Sequence, residues 1–229
     1  MKKTALSLAA LLIGITLLQI TAGAQSKEVG IVAHRGFWNC EEAGFAENSI
    51  AALRCAQEAG FRGSEFKDFR LKNGETLPTI DEYLQQGRKH PQTMLVYEMK
   101  RHSSAEVEDR FIELTIDKLK EHDLLYPEKV MFISFSYHIC RRMAQLLPGF
   151  TVQYLRSEKS PSTVLKGGVN GINYNYRILN LSPRWVRNAR RLGMSTNAWT
   201  VNNEESMKQM LRMGIDYLTT DNPILARNL

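Results

Sequence analysis

The sequence predicts an α/β chain folded as a (β/α)8 TIM barrel, and three observations predict it. Eight short apolar runs recur along residues 25–229, mostly separated by amphipathic, capped stretches, and charged or polar residues stand where several of the runs end. An open doubly wound sheet is the structural alternative. Against it, no Gly-rich dinucleotide loop follows any run, and a barrel is the fold that collects strand ends into one mouth.

Taken in order, Gly30-Ile31-Val32-Ala33 reads as the first strand. Asn48 is placed to cap a helix through Ala59, which Gly60 ends. Gly63 to Phe66 is the second strand, and Pro78 starts a helix through about Gln86. Thr93 to Lys100 is the third strand, and Ser103 or Ser104 caps a long helix reaching about His122. Lys129 to Ser134 is the fourth, followed by a helix that Pro148 stops. Thr151 to Leu155 and Gly171 to Tyr174 are the fifth and sixth. Pro183 begins a helix ending near Gly193, Ser195 to Val201 is the seventh strand, Glu204 to Arg212 is helical, and Asp216 to Thr220 is the eighth strand. With no internal repeat, linker or low-complexity tract, residues 25–229 form one domain.

Ahead of that domain, Met1-Lys2-Lys3 precedes an apolar run from Ala5 to Ile20 and the small residues Ala22-Gly23-Ala24. This pattern reads as a secretory signal peptide over residues 1–24 and so as export to a periplasm or out of the cell. A membrane anchor is the alternative, but the run is short of the ~20 residues a span needs, and no later segment is apolar enough.

The chain carries 30 Lys and Arg against 24 Asp and Glu, a net +6. That surplus suits a small anionic substrate. Basic residues are scattered, with Arg141-Arg142 and Arg190-Arg191 the tight pairs, which argues against nucleic-acid binding. Of the three cysteines, Cys40 and Cys55 are the nearest pair for a disulfide in an exported protein. Buried free thiols, Cys140 included, are the other reading. The odd count and the absence of close Cys/His spacing argue against structural zinc.

The strand ends carry the chemistry. The first delivers His34 and Arg35, the second Glu65, the third Glu98 and Lys100 on one face, the seventh Trp199, and the eighth ends at Asp221. Arg35 and Lys100 supply positive charge, and Arg35 can grip a phosphate bidentately. Glu65 and Glu98 are hard oxygen donors suited to Ca²⁺ or Mg²⁺. His34 titrates in the range for acid/base work. Together they suit cleavage of a phosphodiester. Each alone has a blander reading: a turn histidine, Glu65 paired with Lys67 or Arg62, Glu98 and Lys100 as a structural pair, and Trp199 as packing.

These residues resemble the glycerophosphodiester phosphodiesterase family. The resemblance runs from Ile31 to Pro223 through His34-Arg35-Gly36, Glu47-Asn48-Ser49, Gly63-Ser64-Glu65-Phe66, Leu77-Pro78-Thr79, Tyr97-Glu98-Met99-Lys100, Trp199-Thr200-Val201-Asn202 and Thr220-Asp221-Asn222-Pro223. It implies a TIM barrel that hydrolyses glycerophosphodiesters to glycerol 3-phosphate and an alcohol with a divalent metal. It also implies His34 as a catalytic histidine, Arg35 on the phosphate, Glu65 and Glu98 as metal ligands, Glu47 and Lys100 within the active-site motifs, and Trp199 along the glycerol side.

The family's pattern continues as Glu-x-Asp on the second strand and then, past a turn, as His-Asp, which supplies a second catalytic histidine. Here Glu65-Phe66 runs into Lys67-Asp68-Phe69-Arg70 and resumes the pattern at Leu77-Pro78-Thr79. The barrel therefore looks shortened after strand two, lacking one metal-binding Asp and one histidine. Asp68 is a poor stand-in, because strand alternation turns it away from Glu65. His102 and His138 are the nearest histidines to consider. The implied outcomes are an enzyme of reduced activity or, as the alternative, a non-catalytic protein that binds a phosphodiester or sugar phosphate.

Overall fold

A computed structural model describes residues 28–66 and 78–229. The signal-peptide reading of residues 1–24 and the stretch containing Asp68 lie outside the described residues. Eight strands, β1 (Gly30–Ala33), β2 (Gly63–Phe66), β3 (Met94–Glu98), β4 (Val130–Ser134), β5 (Val152–Tyr154), β6 (Gly171–Asn175), β7 (Ser195–Trp199) and β8 (Tyr217–Thr220), close in sequence order into a barrel. All neighbours are parallel, and β1 pairs with β8 from Gly30 opposite Tyr217 to Ala33 opposite Thr220. The predicted fold class is the observed one.

Parallel strands covered on both faces read as continuous apolar runs, and β4, Val-Met-Phe-Ile-Ser, is buried throughout. Alternate side chains part to two cores. Val32, Met94, Val96, Met131, Ile133 and Leu155 fill the barrel interior, with Trp199 and Tyr217 against them. Leu95, Phe132, Val152, Ile172 and Leu218 belong instead to the larger core that the strands share with the helices.

The helices are α1 (Ile50–Glu58), α2 (Ile80–Lys89), α3 (Ala105–Glu121), α4 (Tyr137–Leu146), α5 (Pro161–Lys166), α6 (Tyr176–Leu181), α7 (Arg184–Arg191), α8 (Glu204–Met213) and α9 (Pro223–Arg227). Three of these, α5, α6 and α9, were not expected. At five or six residues each, they are too short to show an apolar period. Two starts also differ from expectation. Ser49, not Asn48, caps α1, accepting from the Ala52 N–H at 2.9 Å, because Asn48 is turned left-handed (φ 59°) to donate its N–H to the Arg35 carbonyl. Pro78 precedes α2, whose start is a capping box between Thr79 and Glu82. Ser104 caps α3.

The β1–α1 connection positions the mouth. Arg35 (φ 57°) and Gly36 (φ 82°) are both left-handed, and the Gly36 N–H donates to the Ala33 carbonyl at 3.2 Å. A methyl group on Gly36 would lie 2.7 Å from the Ala52 Cβ and 2.9 Å from the Ala52 carbonyl carbon. Gly36→Ala therefore combines a disfavoured φ with a backbone clash. It is expected to lower stability by about 1–3 kcal/mol in urea unfolding; a wild-type midpoint would show that this turn is not held as described.

Candidate active site

His34 is the first residue beyond β1, and its N–H donates to the Thr220 carbonyl at 2.9 Å, extending the β1–β8 ladder by one bond. Its Nδ1 lies 2.6 Å from the Asp221 Oδ1. An ionised carboxylate can only accept, so Nδ1 carries the proton and donates, an assignment that follows from the hydrogen-bond network. In the neutral ring the lone pair is then on Nε2, which faces the Glu65 Oε1 at 3.8 Å. His34 thus stands between two carboxylates, one bonded to Nδ1 and one beside Nε2.

Asp221 is itself held. Its Oδ2 accepts from the Asn202 Nδ2 at 2.6 Å, and its N–H donates to the Asn202 Oδ1 at 2.9 Å. The Thr220 hydroxyl donates to that same Oδ1, and the Asn222 amide donates to the Asn202 carbonyl. Burial pushes the Asp221 carboxyl up. The hydrogen bond and charge of His34, with the donation from Asn202, outweigh burial and leave the carboxyl below its usual 3.8.

Glu65 sits opposite Val96 in the β2–β3 register, so the two share the inner face, and Glu98 follows Val96 by two. Both carboxylates are buried at the C-terminal end of the barrel. The Lys100 Nζ is 2.5 Å from the Glu98 Oε1, and Lys100 is one-third exposed while Glu98 is buried. The pairing on one face is therefore as expected, although β3 ends at Glu98 and Lys100 lies just past it. Arg62 lines a depression with Gly30, Ile31 and Asp216 at the other end of the barrel, away from Glu65.

On the β1–α1 connection, the Arg35 guanidinium forms a close ion pair with Glu47 through one terminal nitrogen. Its Nε is buried with no hydrogen-bond partner, a donor that a phosphate oxygen would satisfy. The Trp199 indole donates to the Asn173 carbonyl at 2.9 Å and meets the Phe135 ring edge-on at 5.6 Å. Its ring is fixed as a wall of the mouth beside the interior core.

No other histidine among the described residues faces His34. His102 packs edge-on against Phe111 and shares a cavity of about 430 Å³ with Phe66, Tyr83, Tyr97 and the site residues Glu98 and Lys100. His122 pairs with Asp81, and His138 with Asp109. The three cysteines are free. Cys40 packs against the cluster of Ala43, Ala52 and Cys55, so the two thiols anticipated as neighbours do adjoin, and burial pushes Cys55 up to about 11.

Among the described residues no group of three or more His, Cys, Asp or Glu is arranged to hold a metal ion. Two buried carboxylates on neighbouring strands nevertheless fit a hard cation of the kind held by one or two carboxylates plus substrate oxygens and water. Glu65 and Glu98 are the donors this arrangement offers.

Asp221 and Asn202 acquire roles that sequence reasoning did not assign. Both stood within motifs already singled out, but the pairing of Asp221 with His34 spans 187 positions and leaves no local signal. Phe135, a half-exposed aromatic beyond β4, was missed for the same reason.

Comparison with known proteins follows from this geometry. Residues 64–225 match the sequence profile of the Glycerophosphoryl diester phosphodiesterase family. A glycerophosphodiester phosphodiesterase from Caldanaerobacter subterraneus subsp. tengcongensis is 23% identical over 87% of this chain and 96% of its own. A crystal structure of a glycerophosphodiester phosphodiesterase from Parabacteroides distasonis superposes with a TM-score of 0.83 at 32% identity, covering 89% of this chain and 97% of that one. An Oleispira antarctica phosphodiesterase, solved with the product sn-glycerol-3-phosphate, shares the fold with a TM-score of 0.71 at 20% identity, over 87% and 95% of the two chains.

The Asp221 carboxyl titrates lower folded than unfolded. Its ionised form therefore favours the fold above pH 3.8, and that contribution is lost as pH falls through the folded value. Asp221→Asn is expected to cost about 1–2 kcal/mol at neutral pH and progressively less in acid. Urea unfolding of both proteins across pH checks this, and a gap that stays constant into acid would contradict it.

Proposed function

The chain belongs to the glycerophosphoryl diester phosphodiesterase family, and we propose that it is an exported hydrolase cleaving glycerophosphodiesters to glycerol 3-phosphate and an alcohol, with a divalent metal and at reduced rate. The observation that carries this reading is His34, fixed by Asp221 with Nε2 turned to the mouth, beside an Arg35 whose Nε has no partner.

The substrate phosphate lies against Arg35, whose unpaired Nε–H donates to a non-bridging oxygen while Glu47 holds the guanidinium in place. Lys100 adds a second positive charge at the end of β3. Trp199, locked by its bond to Asn173, packs against the glycerol carbons. His34 accepts the proton of the attacking water at Nε2 as the new P–O bond forms. It returns that proton to the departing alkoxide as the P–O bond to the alcohol breaks. Asp221 keeps the ring in the required tautomer and stabilises the imidazolium in between, as carboxylates do for catalytic histidines. Members of the family generally use a divalent metal, and Ca²⁺ or Mg²⁺ held by Glu65 and Glu98 would supply positive charge against the phosphate oxygens.

Among the described residues no second histidine contacts His34, so His34 serves as both base and acid. Loss of a separate acid or base commonly removes ~10²–10⁴-fold in rate, which is the reduction proposed relative to two-histidine relatives. The same observation favours a second reading, a binding protein that retains a phosphodiester or sugar phosphate without turning it over.

Release of glycerol 3-phosphate from glycerophosphocholine separates the two. The purified protein is expected to release it, and His34→Ala to lower kcat by ~10²-fold or more. No release, with His34→Ala indistinguishable from wild type, leaves the binding reading. Chelation by EDTA is expected to abolish turnover, and Mg²⁺ or Ca²⁺ to restore it. Glu65→Gln and Glu98→Gln are each expected to raise the metal concentration needed, and unaltered metal dependence in both would remove these residues as ligands.

A further inference from the structure

Basic residues are scattered along the chain, but its net positive charge is concentrated in one sector, because acidic residues are missing there. From Lys159 to Asn203 there is no Asp or Glu, while Lys159, Lys166, Arg177, Arg184, Arg187, Arg190 and Arg191 supply seven positive charges against a chain total of +6. The other residues therefore sum to −1. The sector folds as α5, β6, α6, α7 and β7, a contiguous part of the barrel and its outer layer.

Within it, Arg184, Arg187 and Arg191 recur at helical spacing on one face of α7. With Trp185 and Asn188 they line a surface depression of about 580 Å³. Arg177, Arg184, Arg187, Arg190 and Arg191 are exposed, and among the described residues none has a carboxylate within ion-pair distance, whereas Lys159 pairs with Glu158. Arg191 donates to Asn188, which donates to Ser162, so polar bonds brace this face without neutralising it. Like charges stacked on one helix face repel, and an anionic partner would relieve that cost.

An apolar element accompanies the charge. Leu181, at the end of α6, is 81% exposed, the most exposed large hydrophobic side chain among the described residues. It lies four residues from Arg177, on the same face of α6. Helix α6 leaves the C-terminal end of β6, so Arg177 and Leu181 stand at the same end of the barrel as His34 and Asp221.

We propose that the α6–α7 face is a peripheral docking site for an anionic phospholipid surface, with Leu181 entering the acyl boundary and Arg177, Arg184, Arg187 and Arg191 pairing with headgroup phosphates. Cations around an exposed aliphatic side chain suit a lipid interface. A single-stranded nucleic acid would call for exposed stacking rings, and the Trp185 ring is half-buried against Tyr174 at 5.8 Å. Docking here is independent of the hydrolysis proposed above and concerns residues outside that site.

Co-sedimentation with vesicles tests it, comparing pure phosphatidylcholine with phosphatidylcholine containing phosphatidylglycerol. The full protein is expected to pellet with the phosphatidylglycerol vesicles alone, and the bound fraction to fall as salt rises. Replacing Arg184, Arg187 and Arg191 together by Gln should weaken partitioning about 100-fold, taking the increment per surface cation. Leu181→Ser should weaken it separately while the salt dependence persists. Thermal melts of both variants close to wild type exclude misfolding as the cause, and glycerophosphocholine turnover, if present in the wild type, should be unchanged. Absence of binding, equal binding to pure phosphatidylcholine, or wild-type binding by the triple variant overturns the proposal. So does equally tight binding of duplex DNA or heparin with no effect of Leu181→Ser, which would mark a general polyanion surface.

Discussion

The parallel pairing of the first strand with the last is the constraint on which the mouth depends. Until β1 meets β8, His34 and Asp221 lie at opposite ends of the chain. The ladder runs one hydrogen bond past the strands, from the His34 N–H to the Thr220 carbonyl. That bond sets the height of the histidine against the aspartate that follows Thr220. Asn202, arriving from the end of β7, then bonds Thr220, Asp221 and Asn222 at once. Orientation of the His34 ring is thus a consequence of barrel closure, not of local turn geometry.

The remaining charges are placed by the β1–α1 connection and by β2 and β3. A left-handed pair, Arg35-Gly36, turns the chain so that the Arg35 guanidinium meets Glu47 while its carbonyl receives the Asn48 N–H. Glu65 and Glu98 point into a barrel whose lower layers are Val, Met and Ile. A charge buried there is costly unless compensated. Lys100 answers Glu98, and His34 stands near Glu65. Arginine and carboxylates meet at one strand-end surface, where a donor of Arg35 is left unpaired.

Charge also divides the molecule on a larger scale. The mouth balances its cations against Glu47, Glu65, Glu98 and Asp221, whereas the sector built from α5 to α7 has no acidic residue at all. Small-molecule recognition suits the first arrangement, in which opposite charges hold one another in place and a donor of Arg35 is left over. A surface that meets a larger anionic partner requires the second, where cations stay solvated and unpaired until contact.

Much of this was legible in the residues. Eight apolar runs specified eight strands, because parallel strands buried on both faces must be apolar almost throughout. His34, Arg35, Glu65, Glu98, Lys100 and Trp199 were legible as strand-end residues, because alternation and the barrel rule bring strand ends to one face. Helices α5, α6 and α9 were not legible, being too short for a period, nor was the cap of α1, which moved to Ser49 once Asn48 bonded back to Arg35. The sequence by itself determined the fold class, the family and several of the side chains that stand at strand ends, since these depend on patterns within a few residues. Only the tertiary structure decided which of them touch. The Asp221–His34 bond, the turn of His102 toward Phe111 and the edge contact of Phe135 with Trp199 join residues far apart in the chain, and no local pattern records a contact that exists only after the barrel has closed.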